Sequence, residues 1–115
     1  MILGIGTDII EVSRIKKSVE RFGDDFLKHI LTEKEIIHAK RFKNPFAHLA
    51  GRFAAKEAIF KAVGDPKLSW HDVTISNDKQ GKPVCLHRRA NFKKKILLTI
   101  SHSKNYATAF CIVTS

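Results

Sequence analysis

One stretch of the chain, Gly51 to Lys61, mixes charged side chains with alanine and large apolar residues. On a helix, Arg52 and Lys56 stand four residues apart, as do Glu57 and Lys61. Apolar residues cover both faces of this helix, with Leu49, Phe53, Phe60 and Val63 on one and Ala50, Ala54, Ala58 and Ala62 on the other. Charges in such a setting are costly unless an ion, a phosphate or a partner compensates them. An ordinary Glu57–Lys61 ion pair, with the other two cations snorkelling to solvent, explains the pattern equally well.

A second carboxylate, Asp8, lies far from this helix in sequence, in a segment with strand-like alternation. The alternation puts Asp8 on the same side as Gly4 and Gly6. Two interpretations stay open. The glycines leave open backbone where a ligand approaches the carboxylate, or they relieve crowding against a helix while Asp8 hydrogen-bonds locally.

The composition is that of one small soluble domain. A chain of 115 residues with 43% hydrophobic residues can bury one core, so we expect a single domain over residues 1–115. No apolar run approaches the roughly 20 residues needed to span a bilayer, and no signal-peptide pattern is present, which predicts a cytoplasmic protein without membrane contact. Cys85 and Cys111 are expected to be reduced core thiols, and the spacing of the six histidines gives no zinc pattern.

The net charge of +10 is concentrated late in the chain. Residues 82–95 contain six lysines and arginines and no acid. Such a surface should attract a polyanion, which can be nucleic acid, a phosphorylated small molecule or an acidic protein. A solvated basic face without a partner is the alternative. Phe92 is the only large aromatic residue of the run, which counts against base stacking.

The predicted order of elements is a strand, several helices and then strands. Alternation predicts a strand over residues 2–10, and apolar spacing predicts a helix over about 12–22 that ends at Gly23. The remaining predictions are a short helix near 26–31, a capped helix from Thr32 to about Phe42, the long helix over about 46–63, strands over 69–76, 84–87, 97–101 and 107–113, and a brief helix over about 90–95. We therefore predict an α+β fold in which the long helix packs on an antiparallel sheet.

Four motifs follow one another along the chain: Gly4 to Ile9, Gly51 to Ala62, Gly81 to Pro83, and Thr99 to Ser103. Together they resemble the holo-(acyl-carrier-protein) synthases, the small bacterial branch of the 4′-phosphopantetheinyl transferase superfamily. The resemblance implies the fold of that superfamily and a specific reaction. The 4′-phosphopantetheine moiety of coenzyme A would be transferred to a serine of an apo-acyl carrier protein, with release of 3′,5′-ADP, dependence on Mg2+ and a role in fatty acid biosynthesis.

The resemblance also assigns roles to individual residues. Asp8 and Glu57 would be the Mg2+ ligands, and two hard carboxylates completed by water and pyrophosphate oxygens suit this ion. Larger members of the superfamily have a second acid where this chain has Ile10, so water should replace that ligand. Lys61 would hold phosphate charge, and Glu57, or a water that it orients, is the candidate base, with His102 as the alternative. The predicted coenzyme A-binding residues are Arg52, Lys56, Lys61, Ser101, His102 and Ser103.

The implied partners are coenzyme A and an acyl carrier protein. Carrier proteins are strongly acidic, which gives the positive charge of this chain a partner. By analogy with the family, the carrier docks on the first helix at Arg14, Ile15, Ser18, Arg21 and Phe22. The family assembles as a trimer with active sites between subunits, so we expect a homotrimer.

Two other classes of function remain open from the residues alone. A nucleic-acid-binding module would explain the basic run and would not need Asp8. A metal nuclease would use two acids and a lysine, but such enzymes commonly set acid and lysine two residues apart on a strand, whereas Glu57 and Lys61 are four apart on a helix. The prediction is a transferase without a nucleic-acid partner.

Overall fold

A computed structural model describes residues 1–89 and 92–115 of the chain. Four α-helices, five β-strands and one turn of 3-10 helix occur in these residues. Their bounds are β1 Ile2–Glu11, α1 Val12–Phe22, α2 Asp24–Ile30, α3 Glu33–Lys40, α4 Phe46–Val63, the 3-10 turn Trp70–Asp72, β2 Val73–Asn77, β3 Pro83–His87, β4 Lys95–His102 and β5 Tyr106–Thr114.

Two antiparallel sheets form the β portion of the fold. The larger sheet has the strand order β1-β5-β4, and the smaller one is the β2-β3 hairpin. In the larger sheet Asp8 pairs with Ala109 of β5, which in turn pairs with Ile100 of β4. The predicted α+β class, with the long helix against an antiparallel sheet, is confirmed.

Helix α4 lies between the larger sheet and the other helices, which is why both of its faces are apolar. Its alanines face β1, and Ala54 and Ala58 are fully buried. On its other side, Trp70 stacks on Phe53 with ring centroids 5.3 Å apart and meets Phe60 edge-on at 4.8 Å. The charged residues of α4 therefore lie on a helix packed on two sides, as its sequence suggests.

The two glycines of β1 let α4 approach the strand closely. A Cβ atom at Gly4 would lie 2.0 Å from the Ala62 carbonyl oxygen, and one at Gly6 would lie 2.0 Å from the Ala58 carbonyl oxygen. No side chain fits at such distances. Of the two interpretations of these glycines, relief of crowding against a helix is confirmed.

The outer face of the larger sheet is apolar and exposed. Ile5 and Ile9 of β1 are 62% and 64% exposed, and Leu97 and Phe110 also face solvent. These residues alternate along their strands with the side chains that face α4. A face of this kind is unusual for a monomer, because large apolar patches mark interaction sites.

Most predicted elements have the expected bounds. The helices predicted over 12–22 and 46–63 are confirmed to the residue, but the helix after Thr32 ends at Lys40. The strand predicted over 69–76 begins only at Val73, because Asp72 accepts the Ser69 N–H at 2.9 Å and closes a 3-10 turn instead. Of the brief helix predicted over 90–95, Ala90 and Asn91 lie outside the described residues, and Lys95 begins β4. In the part of the chain described, no helix is long and apolar enough to cross a bilayer.

Candidate active site

The two predicted metal ligands come together where β1 meets the second half of α4. Lys61 Nζ donates to the Thr7 carbonyl at 2.9 Å and to Asp8 Oδ1 at 3.3 Å. Glu57 lies one turn before Lys61 and is near enough to Asp8 for the two charges to interact. Burial raises the pKa of Glu57, the negative charge of Asp8 raises it further, and Lys61 opposes both effects.

The close packing of β1 on α4 explains how these residues meet. Gly4 and Gly6 contact the backbone of α4 at Ala62 and Ala58. Glu57 and Lys61 each immediately precede one of these alanines, so they flank the contact. Asp8 is the next residue after Gly6 on the same side of the strand, where the side chain reaches the acid and the lysine.

This arrangement fits a magnesium ion. Two partly buried carboxylates repel each other, and the ammonium of Lys61 already acts as a cation on one of them. Mg2+ commonly binds to one or two carboxylates and completes its octahedron with water and substrate phosphates. Within residues 1–89 and 92–115, no three His, Cys, Asp or Glu side chains form a metal site by themselves. The site would thus depend on water and substrate oxygens.

A second feature lies at the first half of α4, where a cavity of about 330 Å³ opens beside Arg52. Asn77 Oδ1 accepts a hydrogen bond from the Arg52 guanidinium at 2.6 Å. His102 reaches the cavity from β4, and its ring lies 5.5 Å from that of His48. The residues around the cavity are His38, Phe42, His48, Gly51, Arg52, Asn77, Gly81, Pro83, Ile100 and His102. We call this space the Arg52 cavity.

The electrostatics of the Arg52 cavity favour an anion. Burial lowers the pKa of His48, and positive charge on His102, His38 and Arg52 lowers it further. The pKa of His38 is lowered by burial and by the cations Arg52 and Arg41. Arg52 Nε is buried with no hydrogen-bond partner, the only such side-chain atom in the residues that the structure describes. A phosphate in the cavity would supply the missing negative charge.

Lys56 does not reach the surface, where it would have to lie to contact coenzyme A. Its side chain is fully buried, and Nζ lies 2.6 Å from Glu35 Oε1. The other two protons of the ammonium go to the carbonyl groups of Ile30, at 3.0 Å, and Trp70, at 2.8 Å. Because all three donors are used inside the protein, the predicted coenzyme contact is wrong for this arrangement. The four-residue spacing from Arg52 did not reveal that the two cations point to different surroundings.

The three residues near the end of β4 that are predicted to bind coenzyme A lie in different surroundings. His102 faces the Arg52 cavity, whereas Ser101 lies on the outer face of the sheet, paired in register with Thr108. Ser103 Oγ accepts the Tyr106 N–H in the turn between β4 and β5. Only His102 is therefore close to Arg52 within the same chain.

The site residues on α4 form two half-sites. Arg52 and Lys61 are nine residues apart. This places them on opposite sides of the helix and about 13 Å apart along its axis. We call the two groups the carboxylate half-site, Asp8, Glu57 and Lys61, and the cavity half-site, Arg52, His48 and His102.

The proposed docking helix α1 is mostly as the sequence indicates, with one correction. Ile15 is 2% exposed and belongs to the core, because the helical period places it with Val12 and Val19 on the inner face. Phe22 is 55% exposed, and the guanidinium of Arg21 lies over its ring, 5.1 Å from the centroid. Arg14 is exposed and Ser18 is half-buried, so these four residues remain accessible.

Some residues around the Arg52 cavity have no signal in the sequence that marks them as part of a site. His38, His48 and His102 have no spacing in common, yet the fold brings them to one cavity. Glu35, three residues after the N-cap Thr32, accepts the Thr32 N–H and is also the buried partner of Lys56. The motif from Gly81 to Pro83 was an available signal for the cavity wall, whereas nothing in the spacing marks the histidines.

The chain matches the 4′-phosphopantetheinyl transferase superfamily over residues 4–111. It is 45% identical over 122 residues to the holo-[acyl-carrier-protein] synthase of Protochlamydia amoebophila, covering all of both chains. A Bacillus anthracis holo-(acyl-carrier-protein) synthase in complex with CoA (3′,5′-ADP) has the same fold, with a TM-score of 0.89, 42% identity, and 100% and 98% of the two chains covered. The Helicobacter pylori enzyme in complex with coenzyme A gives 0.86 and 32%, with coverage of 96% and 99%.

The chain belongs to the 4′-phosphopantetheinyl transferase superfamily, in its holo-(acyl-carrier-protein) synthase branch. It is an enzyme of that branch, and the fold class expected from the sequence is that of these relatives. Of the three classes of function that the residues left open, the transferase is the one that the relatives support.

Proposed function

We propose that this enzyme transfers the 4′-phosphopantetheine moiety of coenzyme A to a serine of an apo-acyl carrier protein, with Mg2+ as cofactor and 3′,5′-ADP as the leaving product. The observation that supports this proposal best is the meeting of Asp8, Glu57 and Lys61 at the contact of β1 with α4. Relatives crystallised with coenzyme A or 3′,5′-ADP support the choice of substrate.

In the proposed reaction, the serine Oγ bonds to the phosphorus that bears the pantetheine. The bond from that phosphorus to the bridging oxygen breaks, and 3′,5′-ADP leaves with the electron pair. Mg2+, when bound, supplies positive charge that neutralises the pyrophosphate. Asp8 and Glu57 provide the carboxylates that hold it, and the exposed ammonium of Lys61 can turn from Asp8 to a phosphate oxygen.

The proton of the serine hydroxyl needs an acceptor. We propose Glu57, acting directly or through a water that it orients. This choice rests on the place of Glu57 in the carboxylate half-site, because bound Mg2+ would oppose the rise in its pKa that burial and Asp8 cause in the metal-free protein. His102 is the less suitable candidate, because it borders the Arg52 cavity and is better placed to contact a phosphate.

The cavity half-site is proposed to bind a phosphate of coenzyme A. Arg52, His48 and His102 all line the cavity, and the rings of the two histidines lie 5.5 Å apart. A phosphomonoester is the group with the charge and the acceptor oxygens that these donors need. Arg52 and His102 thus keep their predicted role, Lys56 loses it, and Ser101 and Ser103 would contact coenzyme A only from a neighbouring subunit.

The carrier protein is proposed to dock on α1. Arg14 and Arg21 offer positive charge to an acidic partner, and Phe22 offers an exposed apolar surface beside Arg21. Ser18 completes this surface, while the buried Ile15 does not contribute. In line with the family, the holo-carrier product would serve fatty acid biosynthesis in the cytoplasm.

We further propose a homotrimer whose active sites lie between subunits. The half-sites are on opposite sides of α4, so a neighbouring chain that brings its own cavity half-site to the carboxylate half-site would complete the pocket. The exposed apolar face with Ile5, Ile9 and Phe110 is suited to packing against further copies of the chain. Light scattering should give three times the mass of the chain, and replacement of Phe110 by Glu should lower that mass.

The reaction itself is tested with coenzyme A, Mg2+ and a purified apo-acyl carrier protein. Mass spectrometry of the carrier should show addition of the phosphopantetheine arm. Asp8→Ala and Glu57→Ala should each slow this labelling on the order of a hundredfold or more, because each removes a charge that the transition state needs.

The matched control is Asp25→Ala, which removes an exposed acid from α2. It should label the carrier at the wild-type rate. Thermal unfolding must show that all three variants are folded. Wild-type labelling rates in Asp8→Ala or Glu57→Ala would overturn the metal assignment, and absence of labelling by the wild type would overturn the reaction.

A further inference from the structure

The most deeply buried charges of the molecule form a network that the proposed reaction does not use. Glu35 of α3 and Lys56 of α4 are both fully buried. Lys56 also holds the last turn of α2 through Ile30 and the 3-10 turn through Trp70. Glu35 accepts the Thr32 N–H through Oε1 and the Ile75 N–H of β2 through Oε2, both at 2.8 Å.

The attraction between the two charges alone does not explain such a pair. Desolvation of two charges offsets most of their attraction, and apolar pairs of similar size are often as stable or more so. Burial does lower the pKa of Lys56, with the charge and hydrogen bond of Glu35 opposing that effect. An apolar pair would lack directional hydrogen bonds. The charged pair uses such bonds to connect five segments of the chain, which are α2, α3, α4, the 3-10 turn and β2.

Three of those segments, α3, α4 and β2, contribute to the walls of the Arg52 cavity. Ile75 is two residues before Asn77, which binds the Arg52 guanidinium. Glu35 is three residues before His38 on α3, and Lys56 is one turn after Arg52 on α4. The network therefore sets the distance and rotation of α3 and of the β2-β3 hairpin relative to α4.

The carboxylate half-site does not depend on this network. Asp8, Glu57 and Lys61 are placed by the contact of Gly4 and Gly6 with α4, on the other side of the helix. A disturbance of α3 and β2 should reach the Arg52 cavity and leave the reacting groups in place.

We propose that Glu35 and Lys56 are positioning residues that shape the Arg52 cavity for its anionic ligand and so set the affinity for coenzyme A without taking part in the transfer step. The inference rests on the proposed function, since it takes coenzyme A as the ligand. It predicts that the affinity for coenzyme A and the rate of the transfer step respond differently when the pair is replaced by apolar residues.

The test compares the wild type with the double variant Glu35→Leu/Lys56→Met, which keeps the volume and removes both charges together. The melting temperature should fall, because the buried Ile75 N–H and Ile30 carbonyl lose their partners, so binding and kinetics are measured at a temperature at which the variant is folded. The Kd for coenzyme A by calorimetry and its KM should increase about ten- to a hundredfold. The kcat at saturating coenzyme A should stay within about twofold, because the chemical groups are undisturbed.

A second variant tests the route through β2. Asn77→Ala removes the direct hydrogen bond between the hairpin and α4. It should also raise KM, and its effect should be less than additive with that of the double variant if both act on the same wall. Asp24→Ala is the control for a merely structural ion pair, since it breaks the exposed contact between Lys40 of α3 and Asp24 of α2. It should leave KM and kcat unchanged.

The outcomes separate the two proposals. If the wild type neither binds coenzyme A nor labels a carrier protein, the proposed function fails. If the wild type does both and the folded double variant has wild-type Kd and KM, the positioning role is overturned. A fall in kcat with unchanged KM would also overturn it, because the network would then act on the reacting groups. Should the double variant not fold, Asn77→Ala decides: wild-type KM in that variant would contradict the role of the hairpin wall.

Discussion

In the free protein Lys61 contacts protein oxygens, whereas its proposed role is to contact a phosphate of the substrate. Its ammonium rests on Asp8 and the Thr7 carbonyl, but more than half of its side chain is exposed. A flexible, hydrated ammonium can exchange one oxygen ligand for another at small cost. We interpret the observed contact as the resting position of a group that turns to the pyrophosphate when substrate binds.

Replacement of Lys61 by Met should lower kcat/KM for coenzyme A on the order of a hundredfold, because a positive charge at the reacting phosphate is lost. Lys61→Arg should recover part of the rate, since it retains the charge with a different geometry. Lys67→Met, which removes an exposed lysine beyond α4, is the control and should be fully active. Steady-state kinetics at saturating carrier protein check this. Wild-type kcat/KM in Lys61→Met would exclude a role for its charge.

The histidines of the Arg52 cavity predict pH-dependent binding. His48 has a lowered pKa in the free protein because of burial and of the positive charge on His102, His38 and Arg52. A bound phosphate favours the protonated ring and raises this pKa in the complex. Binding therefore takes up protons. The gain in affinity is complete below the pKa of the free protein and is lost as the pH rises through the pKa of the complex.

Calorimetry with 3′,5′-ADP between about pH 5 and 8 should show weaker binding as the pH rises. The phosphate of the ligand titrates near pH 6 itself, so the difference between the wild type and His48→Gln is the quantity to compare. The variant should have the flatter profile. His29→Gln, an exposed histidine on α2, should follow the wild type. Parallel profiles for the wild type and His48→Gln would show that His48 does not titrate with binding.

At the level of elements, the contact of β1 with α4 sets the carboxylate half-site. Gly6→Ala would place a Cβ 2.0 Å from the Ala58 carbonyl oxygen, and backbone atoms cannot yield to it. We expect a loss of stability on the order of 3 kcal/mol, measured by urea unfolding. Any folded fraction should bind Mg2+ poorly, because Asp8 moves away from Glu57.

Gly51→Ala is the matched control for that change. The added methyl group would meet only the side chain of Ile100 at 3.2 Å, and alanine favours the interior of a helix. Its stability should lie close to that of the wild type. If Gly6→Ala were as stable as Gly51→Ala, the close approach of α4 to β1 would not be needed for the fold.

The elements themselves were largely predictable because their signals are local. Helix α4 has apolar residues all round and a glycine immediately after Val63, and both properties are visible in the sequence. The ambiguity at Gly4 and Gly6 was not local. A glycine that leaves room for a ligand and a glycine that leaves room for a helix give the same sequence pattern. Only the tertiary structure shows which group packs against the glycine, and here it is the alanine face of α4.

The site residues that lie within sequence motifs could be predicted. The site residues that meet only when distant segments of the chain fold together could not. Asp8, Glu57 and Lys61 lie in motifs, and the structure brings them together. The same motif led to a wrong role for Lys56, since a helix turns by 100° per residue and a neighbour of a site residue can face the core. Its partner Glu35 is 21 residues earlier, a contact that only the tertiary fold creates.

For the whole molecule, the separation of the two half-sites leads to the sharpest prediction. A chain with Asp8→Ala has an intact cavity half-site, and a chain with Arg52→Met has an intact carboxylate half-site. If each active site combines half-sites from two neighbouring chains, every mixed trimer of these two inactive variants contains one complete site. Random assembly from equal amounts should then restore about a quarter of the wild-type activity, since three-quarters of such trimers are mixed and one site in three is complete.

The mixed trimers are best made by co-expression with two different tags and purified on both. Because only mixed trimers remain after this purification, about a third of the wild-type activity is then expected. Each variant alone, and the two purified separately and mixed without exchange of subunits, are the controls and should remain inactive. Carrier labelling followed by mass spectrometry measures the recovered activity. If both half-sites served one coenzyme within a single chain, every site would contain a defect in any mixture. Activity would then stay at the level of the separate variants, although the trimer had formed.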